Sequence, residues 1–294
     1  MRLTKADIAW QVFIYFFVGL LVMLCVFPLV YVVSMSLASE TEMMRRGATM
    51  VFPKEPTFEG YRRVFNQTVI FTNALTVSVM RTVIGTLITL FMTIITGYAL
   101  SKKDLPGQKA LLVIVMIIIL YSGGLIPTFL TVASVGLLES FWSMIIPGMV
   151  DAWGVLVFKQ FFTNLPREIE ESAYIDGANE VTLMTKIVLP MSLPVIAAMS
   201  LFIAVGHWNS WFDALIYIRD PAGHPLQLLL RNMFVNASIG YDMGMNIVQD
   251  VTMRVSAISI RMVIAVLGTV PILCVYPFLQ KYFVKGVYVG AVKE

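Results

Sequence analysis

The chain has 294 residues, 58% hydrophobic and 13% charged, with a mean hydropathy of +0.82. Soluble domains carry about 25% charged residues, so a freely soluble globule is excluded, and the 12% aromatic content with 19 methionines excludes a disordered chain. The net charge of +3 is spread over short loops and forms no basic stripe for a nucleic acid.

A helix needs about 20 mostly apolar residues to cross a bilayer. Six segments meet that requirement: residues 8–37, 74–100, 110–130, 141–162, 190–215 and 258–283. The basic start, Met1 to Lys5, resembles the opening of a signal peptide, yet the apolar run after it is too long and lacks a small-residue cleavage site. It reads as a retained first span. Alternating stretches typical of an outer-membrane barrel are absent. The predicted fold class is an all-α integral membrane protein, a single transmembrane domain over residues 1–294. Cys25 and Cys274 lie in apolar runs and read as small hydrophobes.

Six spans put both termini on one side with the loops after the second and fourth. Lys102, Lys103, Lys109, Arg167 and Lys186 fall on that side, so the positive-inside rule places both termini in the cytoplasm. The connection over residues 38–72 holds the amphipathic stretch from Phe58 to Phe65, read as a short surface helix, and that over 219–253 holds the apolar run 226–230. Both face outward in this reading. The pairs Arg45-Arg46 and Arg62-Arg63 either attract an anionic partner or are simply solvated.

The cytoplasmic connection, residues 163–189, is the most informative. Pro166 suits a first helical turn, Glu168 complements the helix dipole, and Gly177 supplies the left-handed conformation that ends a helix. Asn179 then caps a second short helix on which Val181, Met184 and Val188 recur at spacings of three and four. The prediction is an elbow of two helices bent at Asp176-Gly177. Small residues Ser172, Ala173, Gly177 and Ala178 keep one face slim enough for a groove on another protein. By themselves Glu168, Glu170 and Glu171 read as a solvated acidic face.

Glu171-Ser172-Ala173, Asp176-Gly177-Ala178, Ile187, Leu189-Pro190 and Pro194 resemble the EAA loop of the permease subunits of bacterial ATP-binding-cassette importers. Ser172 stands where the family commonly has alanine. The stretch from Tyr121 to Thr128, the run Gly206-His207-Trp208-Asn209 and the tail from Tyr276 to Gly286 resemble the carbohydrate branch, specifically its maltose-permease-G-like subunits. Nearest in kind are those importing oligosaccharides from acidic polysaccharides such as alginate or pectin. The resemblance implies the type I importer permease fold and a half-channel that pairs with a second homologous permease. It further implies two ATPase subunits docked on the elbows and an extracytoplasmic solute-binding protein. Glu171, Ser172, Ala173, Asp176, Gly177, Ala178, Ile187, Leu189 and Pro190 become the ATPase-coupling residues, with Glu171 anchoring the elbow and Asp176 holding its turn. Transport would proceed by rigid-body alternating access. The chain has no G-x-x-x-x-G-K-S/T phosphate loop, so it is expected to bind no cofactor of its own, with ATP and magnesium used by the ATPase subunits.

Ionisable groups inside spans usually face a bundle interior or an aqueous cavity. Asp151 beside Trp153, Arg81, and His207 before Trp208, Asn209 and Trp211 stand out. Asp151, Trp153, Trp208, Asn209 and Trp211 are candidates for a sugar path, since aromatic faces stack on sugar C–H surfaces and planar polar groups bond hydroxyls. The tryptophans read equally as an interfacial belt, His207 as a packing hydrogen-bonder, and Asp151 as a partner for Arg81. Gly123-Gly124 and Pro127 should either weaken the third span near its outer end, as in the broken helices of transport cavities, or let it pack closely on a neighbouring helix, which requires the same glycines. An amino acid, peptide or phosphate cargo would suit the same machine. A membrane enzyme is the other alternative, but His207 and His224 are the only histidines and neither lies in a catalytic motif.

Overall fold

A computed structural model describes residues 5–47, 50–65, 68–242 and 260–274. The described chain is helical, with a single isolated β-bridge between Ala38 and Pro56.

The chain divides into two units, one of residues 1–68 with 230–270 and one of residues 69–229 with 271–294. In the first unit, α1 (Lys5–Ser36) exposes apolar side chains along most of its length, including Tyr15, Phe16 and Met23. Such a helix is stable where its surroundings are as apolar as itself. Its end packs through Met35 on Ala38, Met43 and Met50. Two short helices follow, α2 (Glu40–Arg46) and α3 (Glu59–Phe65), the latter where the amphipathic stretch predicted one. Glu42 gathers the intervening loop by accepting from the N–H groups of Lys54 (2.7 Å) and Glu55 (3.2 Å) and from Arg46 (2.5 Å). The Lys54 N–H and the Arg46 guanidinium hold its carboxyl below the usual range against the opposing effect of burial.

The second unit is organised along α4 (Thr68–Ser101). Ala74, Ser78, Arg81, Gly85, Thr89, Thr93 and Gly97 are buried at spacings of three and four, so they form one stripe of mainly small or polar residues. Small residues let neighbouring backbones approach closely in an apolar medium. A Cβ on Gly97 would lie 2.7 Å from the Phe158 Cβ and 3.1 Å from the Val155 carbonyl oxygen.

The predicted span over 110–130 is broken. Helices α5 (Gln108–Leu120) and α6 (Leu125–Ser134) meet at 118°, because residues 121–124 leave the helix and Gly124 takes φ +85°. Segment 141–162 is likewise divided into two 3-10 turns, Phe141–Met144 and Ile146–Gly148, and helix α7 (Ala152–Thr163). Pro147 and the Asp151 cap interrupt it, and the two parts meet at 47°.

The elbow follows as α8 (Arg167–Ile175) and α9 (Glu180–Leu183). A π-helical turn over Met184–Val188 then leads to α10 (Leu189–Met191) and α11 (Leu193–Asn209), with an 80° bend between them. Pro190 and Pro194 lack the N–H groups that would continue the ladder back to Lys186 and Pro190. The turn correspondingly closes a five-residue bond from the Leu189 N–H to the Met184 carbonyl. Val188 is buried as expected and Met184 packs partly on the same core, but Leu183 takes the buried place expected of Val181, which is 70% exposed. The span expected over 190–215 therefore ends at Asn209, and α12 (Phe212–Tyr217) and α13 (Leu226–Asp242) follow. Leu226, Leu228 and Leu230, assigned from sequence to an outward connection, are buried.

Among the described residues, two helices are long and apolar enough to cross a bilayer, and three bent pairs meet that test when taken together. An apolar helix over Ile260–Cys274 occupies the first part of the expected sixth span. The remainder of that span and the tail from Tyr276 to Gly286 lie outside the described residues.

Candidate functional site

Local chemistry dictates the elbow. Helix α8 closes with a Schellman pair of bonds, Ala178 N–H to the Ala173 carbonyl (2.9 Å) and Gly177 N–H to the Tyr174 carbonyl (3.0 Å). Gly177 takes φ +83°, which L side chains rarely adopt. The Asn179 carboxamide oxygen accepts the Thr182 N–H at 2.8 Å and starts α9. The expected bend at Asp176-Gly177 is therefore present.

The nine coupling candidates divide between two faces. Ala173 is buried in a core with Tyr98, Phe158, Phe162, Leu183 and Met199, and Ala178, Ile187 and Leu189 pack on the same core. Glu171, Ser172, Asp176, Gly177 and Pro190 are exposed. The slim face anticipated for a groove is thus split, since two of its small residues let the elbow approach its own bundle. The exposed tip instead carries Ile175, 87% exposed, and Val181.

Polar anchoring comes from neighbours of Glu171. The Tyr98 hydroxyl donates to Glu180 Oε2 at 2.7 Å, and the Tyr174 hydroxyl donates to Glu180 Oε1. Lys102 Nζ lies 2.6 Å from Glu170 Oε2 and 4.8 Å from the Tyr98 ring centroid. The Tyr174 hydroxyl bond holds the Glu180 carboxyl below the usual range against partial burial. Reciprocally, that bond pushes the Tyr174 phenol up to about 12. Beside this network a cavity of about 250 Å³ is lined by Lys102, Lys103, Asp104, Arg167, Glu170 and Glu171, among others.

At the other end of α4, Arg81, only 2% exposed, binds both carboxylate oxygens of Asp213, with Nη1 to Oδ1 at 2.9 Å. The guanidinium also donates to the carbonyls of Ser210 and Met144, each at 3.3 Å. Asp213 in turn accepts from Ser210 Oγ (3.2 Å) and its neighbour Ala214 N–H (2.8 Å). The pairing of Arg81 with Asp151 considered from sequence is corrected here: Asp151 caps α7 by accepting the Trp153 N–H. Its own N–H donates to Thr93 Oγ1 at 3.2 Å. The missed partner had left a signal, because Asp213 is the one acid in the segment 190–215. His207 lies over Gly85 and pairs with Thr89 Oγ1 at 3.3 Å, a packing contact between α11 and α4.

The sugar-path candidates do not converge. Trp153 is exposed and meets Phe202 edge to face, with centroids 6.4 Å apart. Trp208, 7% exposed, lines an apolar cavity of about 300 Å³ with Leu75, Val79, Val83, Leu201 and Val205. Asn209 is exposed, while Trp211 packs on the cluster around Val132, Met144, Ala214 and Tyr217.

These features define a helical membrane protein whose buried polar groups hold bent segments to a central helix. Among the described residues no group of acids, histidines or cysteines is placed to hold a metal ion.

No protein-family model matches the chain. It is 39% identical over 284 residues to the polygalacturonan/rhamnogalacturonan transport system permease protein YtcP of Bacillus subtilis (strain 168), covering 97% of this chain and 98% of the relative. It is 40% identical over 293 residues to Protein LplC of the same organism, covering 100% and 98%. Among solved structures it is similar to a bacterial ABC transporter involved in the import of the acidic polysaccharide alginate. That likeness has a TM-score of 0.83 at 26% identity and covers 96% of this chain and 99% of the other. The chain belongs to the permease subunits of bacterial carbohydrate ABC importers. It is a transport subunit and not an enzyme, and ATP hydrolysis is the work of separate subunits.

Proposed function

We propose that this chain is one half of a permease pair that carries acidic oligosaccharides of the pectin or alginate type across the bacterial cytoplasmic membrane. A second homologous permease completes the channel, and a solute-binding protein delivers the sugar from outside. Two ATPase subunits, which use ATP and magnesium, dock on the elbows. Both termini and the elbow lie in the cytoplasm, as the basic residues of the loops favour. The observation that carries the coupling reading is the elbow itself: a capped, bent peg with Ile175 and Val181 exposed at its tip beside Glu171. Apolar anchors rimmed by charge are what a helix-in-groove contact uses.

ATP closes the ATPase pair, the elbows are drawn together, and the helices rotate as bodies to open the cavity outward. Asp151, Trp153, Trp208, Asn209 and Trp211 remain the candidates for the path, spread over separate surfaces of this chain. Reconstituted with its partners, the complex should hydrolyse ATP faster with binding protein and a galacturonate or alginate trimer. Stimulation by an amino acid alone would overturn the cargo.

A further inference from the structure

The elbow is joined to the rest of the chain by soft connections. Gly177 bends the elbow, a π-helical turn follows α9, and α10 meets α11 at 80°. Force applied at the tip and carried only along the chain would be absorbed at these points, where φ and ψ yield most easily. Helix α4, by contrast, is unbroken over Thr68–Ser101. From Ser78 to Tyr98 it spans about 30 Å at the α-helical rise. Along that length it holds the Leu226 N–H through Ser78 (2.7 Å), Asp213 through Arg81, His207 through Thr89, and the Asp151 N–H through Thr93. These contacts fasten α13, α12, α11 and the start of α7 to one rod.

We propose that Tyr98, Lys102, Glu170, Tyr174 and Glu180 form a clamp that makes the elbow and α4 a single rigid lever. This rests on the coupling reading above and assigns positioning roles to residues outside the coupling motif. Tyr98 lies in the last turn of α4 and Lys102 directly follows that helix, its ammonium 4.8 Å from the Tyr98 ring centroid, while Glu170 and Tyr174 lie four apart on one face of α8. Glu180, across the bend, ties both tyrosines through its two oxygens. Because the clamp bridges the bend, pulling the tip moves α4 without first unfolding the Gly177 turn. The core beneath, with Ala173 against Tyr98 and Phe162, fills the remaining gap.

The test uses the full complex in lipid nanodiscs, with Cys25 and Cys274 changed to serine and spin labels at Leu87→Cys and Glu168→Cys. Both label positions are exposed. In the native clamp the label distance should stay constant between nucleotide-free and ATP–vanadate-trapped states. In Glu180→Gln it should shift by about 2 Å or more, the scale of helix displacements at switching contacts, while ATP hydrolysis and ATPase co-purification persist. Tyr98→Phe, which deletes one oxygen, gives the same reading if Glu180→Gln does not assemble. A distance that changes on trapping in the native clamp overturns the single lever, and so does a constant distance in both variants. Failure of ATPase to co-purify with the native chain overturns the coupling reading and the clamp with it.

Discussion

Arg81 and Asp213, 132 positions apart, form a two-pronged ion pair that fastens α12 to α4. The guanidinium is almost fully buried and its further bonds go to two backbone carbonyls, so nothing nearby would compensate for loss of the acid. Breaking one side of a buried pair leaves the other charge stranded at a cost of about 3–5 kcal/mol. Asp213→Ala should destabilise by about 3 kcal/mol, the lower end, because Asp213 keeps 25% of its side chain exposed. Thermal unfolding in detergent measures this, and the double variant Arg81→Met, Asp213→Leu should recover much of the loss.

The glycines of α4 separate by what faces them. An added methyl at Gly97 meets backbone and Cβ atoms of α7 that cannot turn away, whereas at Gly85 it meets the His207 ring at 2.7–2.9 Å. Gly97→Ala should cost about 1–3 kcal/mol or more by overpacking. Gly85→Ala should cost less, because the ring can rotate at the expense of its Thr89 contact. Comparison of the two melting temperatures checks the order.

Gly177 has open space around its Cβ position, so substitution there acts on the backbone alone. A left-handed L residue costs about 1–2 kcal/mol, and more when β-branched. Gly177→Val should abolish ATP-driven uptake while membrane insertion stays near the native level. Uptake that survives at native rate would disprove the need for this bend.

Ile175 is exposed in the isolated chain, and Ile175→Ser should leave the melting temperature within experimental scatter. Burying such a side chain at an interface is worth about 1.5–3 kcal/mol, so affinity for the ATPase, read by co-purification, should fall by about tenfold or more.

The elbow clamp has a defined pH window. The Glu180 carboxyl is held below its ordinary value, so its contribution is present above about 4.5 and lost as pH falls through its folded value. The Tyr174 phenol is pushed up to about 12, so its contribution is complete below its ordinary value of 10.0 and lost as pH rises through 12. Amide exchange protection of α8 and α9, corrected for intrinsic rates, should stay flat from about pH 5 to pH 9. It should fall in more acidic buffer, and Glu180→Gln should flatten that acid limb.

The apolar composition determined the membrane and the helical class, and turn chemistry determined the elbow. Pro166, Gly177 and Asn179 act through bonds within five residues, so their pattern is readable without knowing what they pack against. Gly123 and Gly124 left the third span open to a break or to close packing, and the structure decided for the break, with open space around both glycines and Gly124 at φ +85°. The α4 stripe was not legible, because in lipid the outward face is as apolar as a core and the buried face is small or polar. Hydrophobic periodicity, the main signal in a water-soluble helix, is therefore silent there. Only the tertiary structure decided that Arg81 takes Asp213 over Asp151, that Trp208 faces an apolar cavity, and that Glu170 and Glu180 fasten the elbow. Each depends on which segments bend and meet after distant parts of the chain come together, a geometry fixed by non-local packing and not by neighbours in sequence.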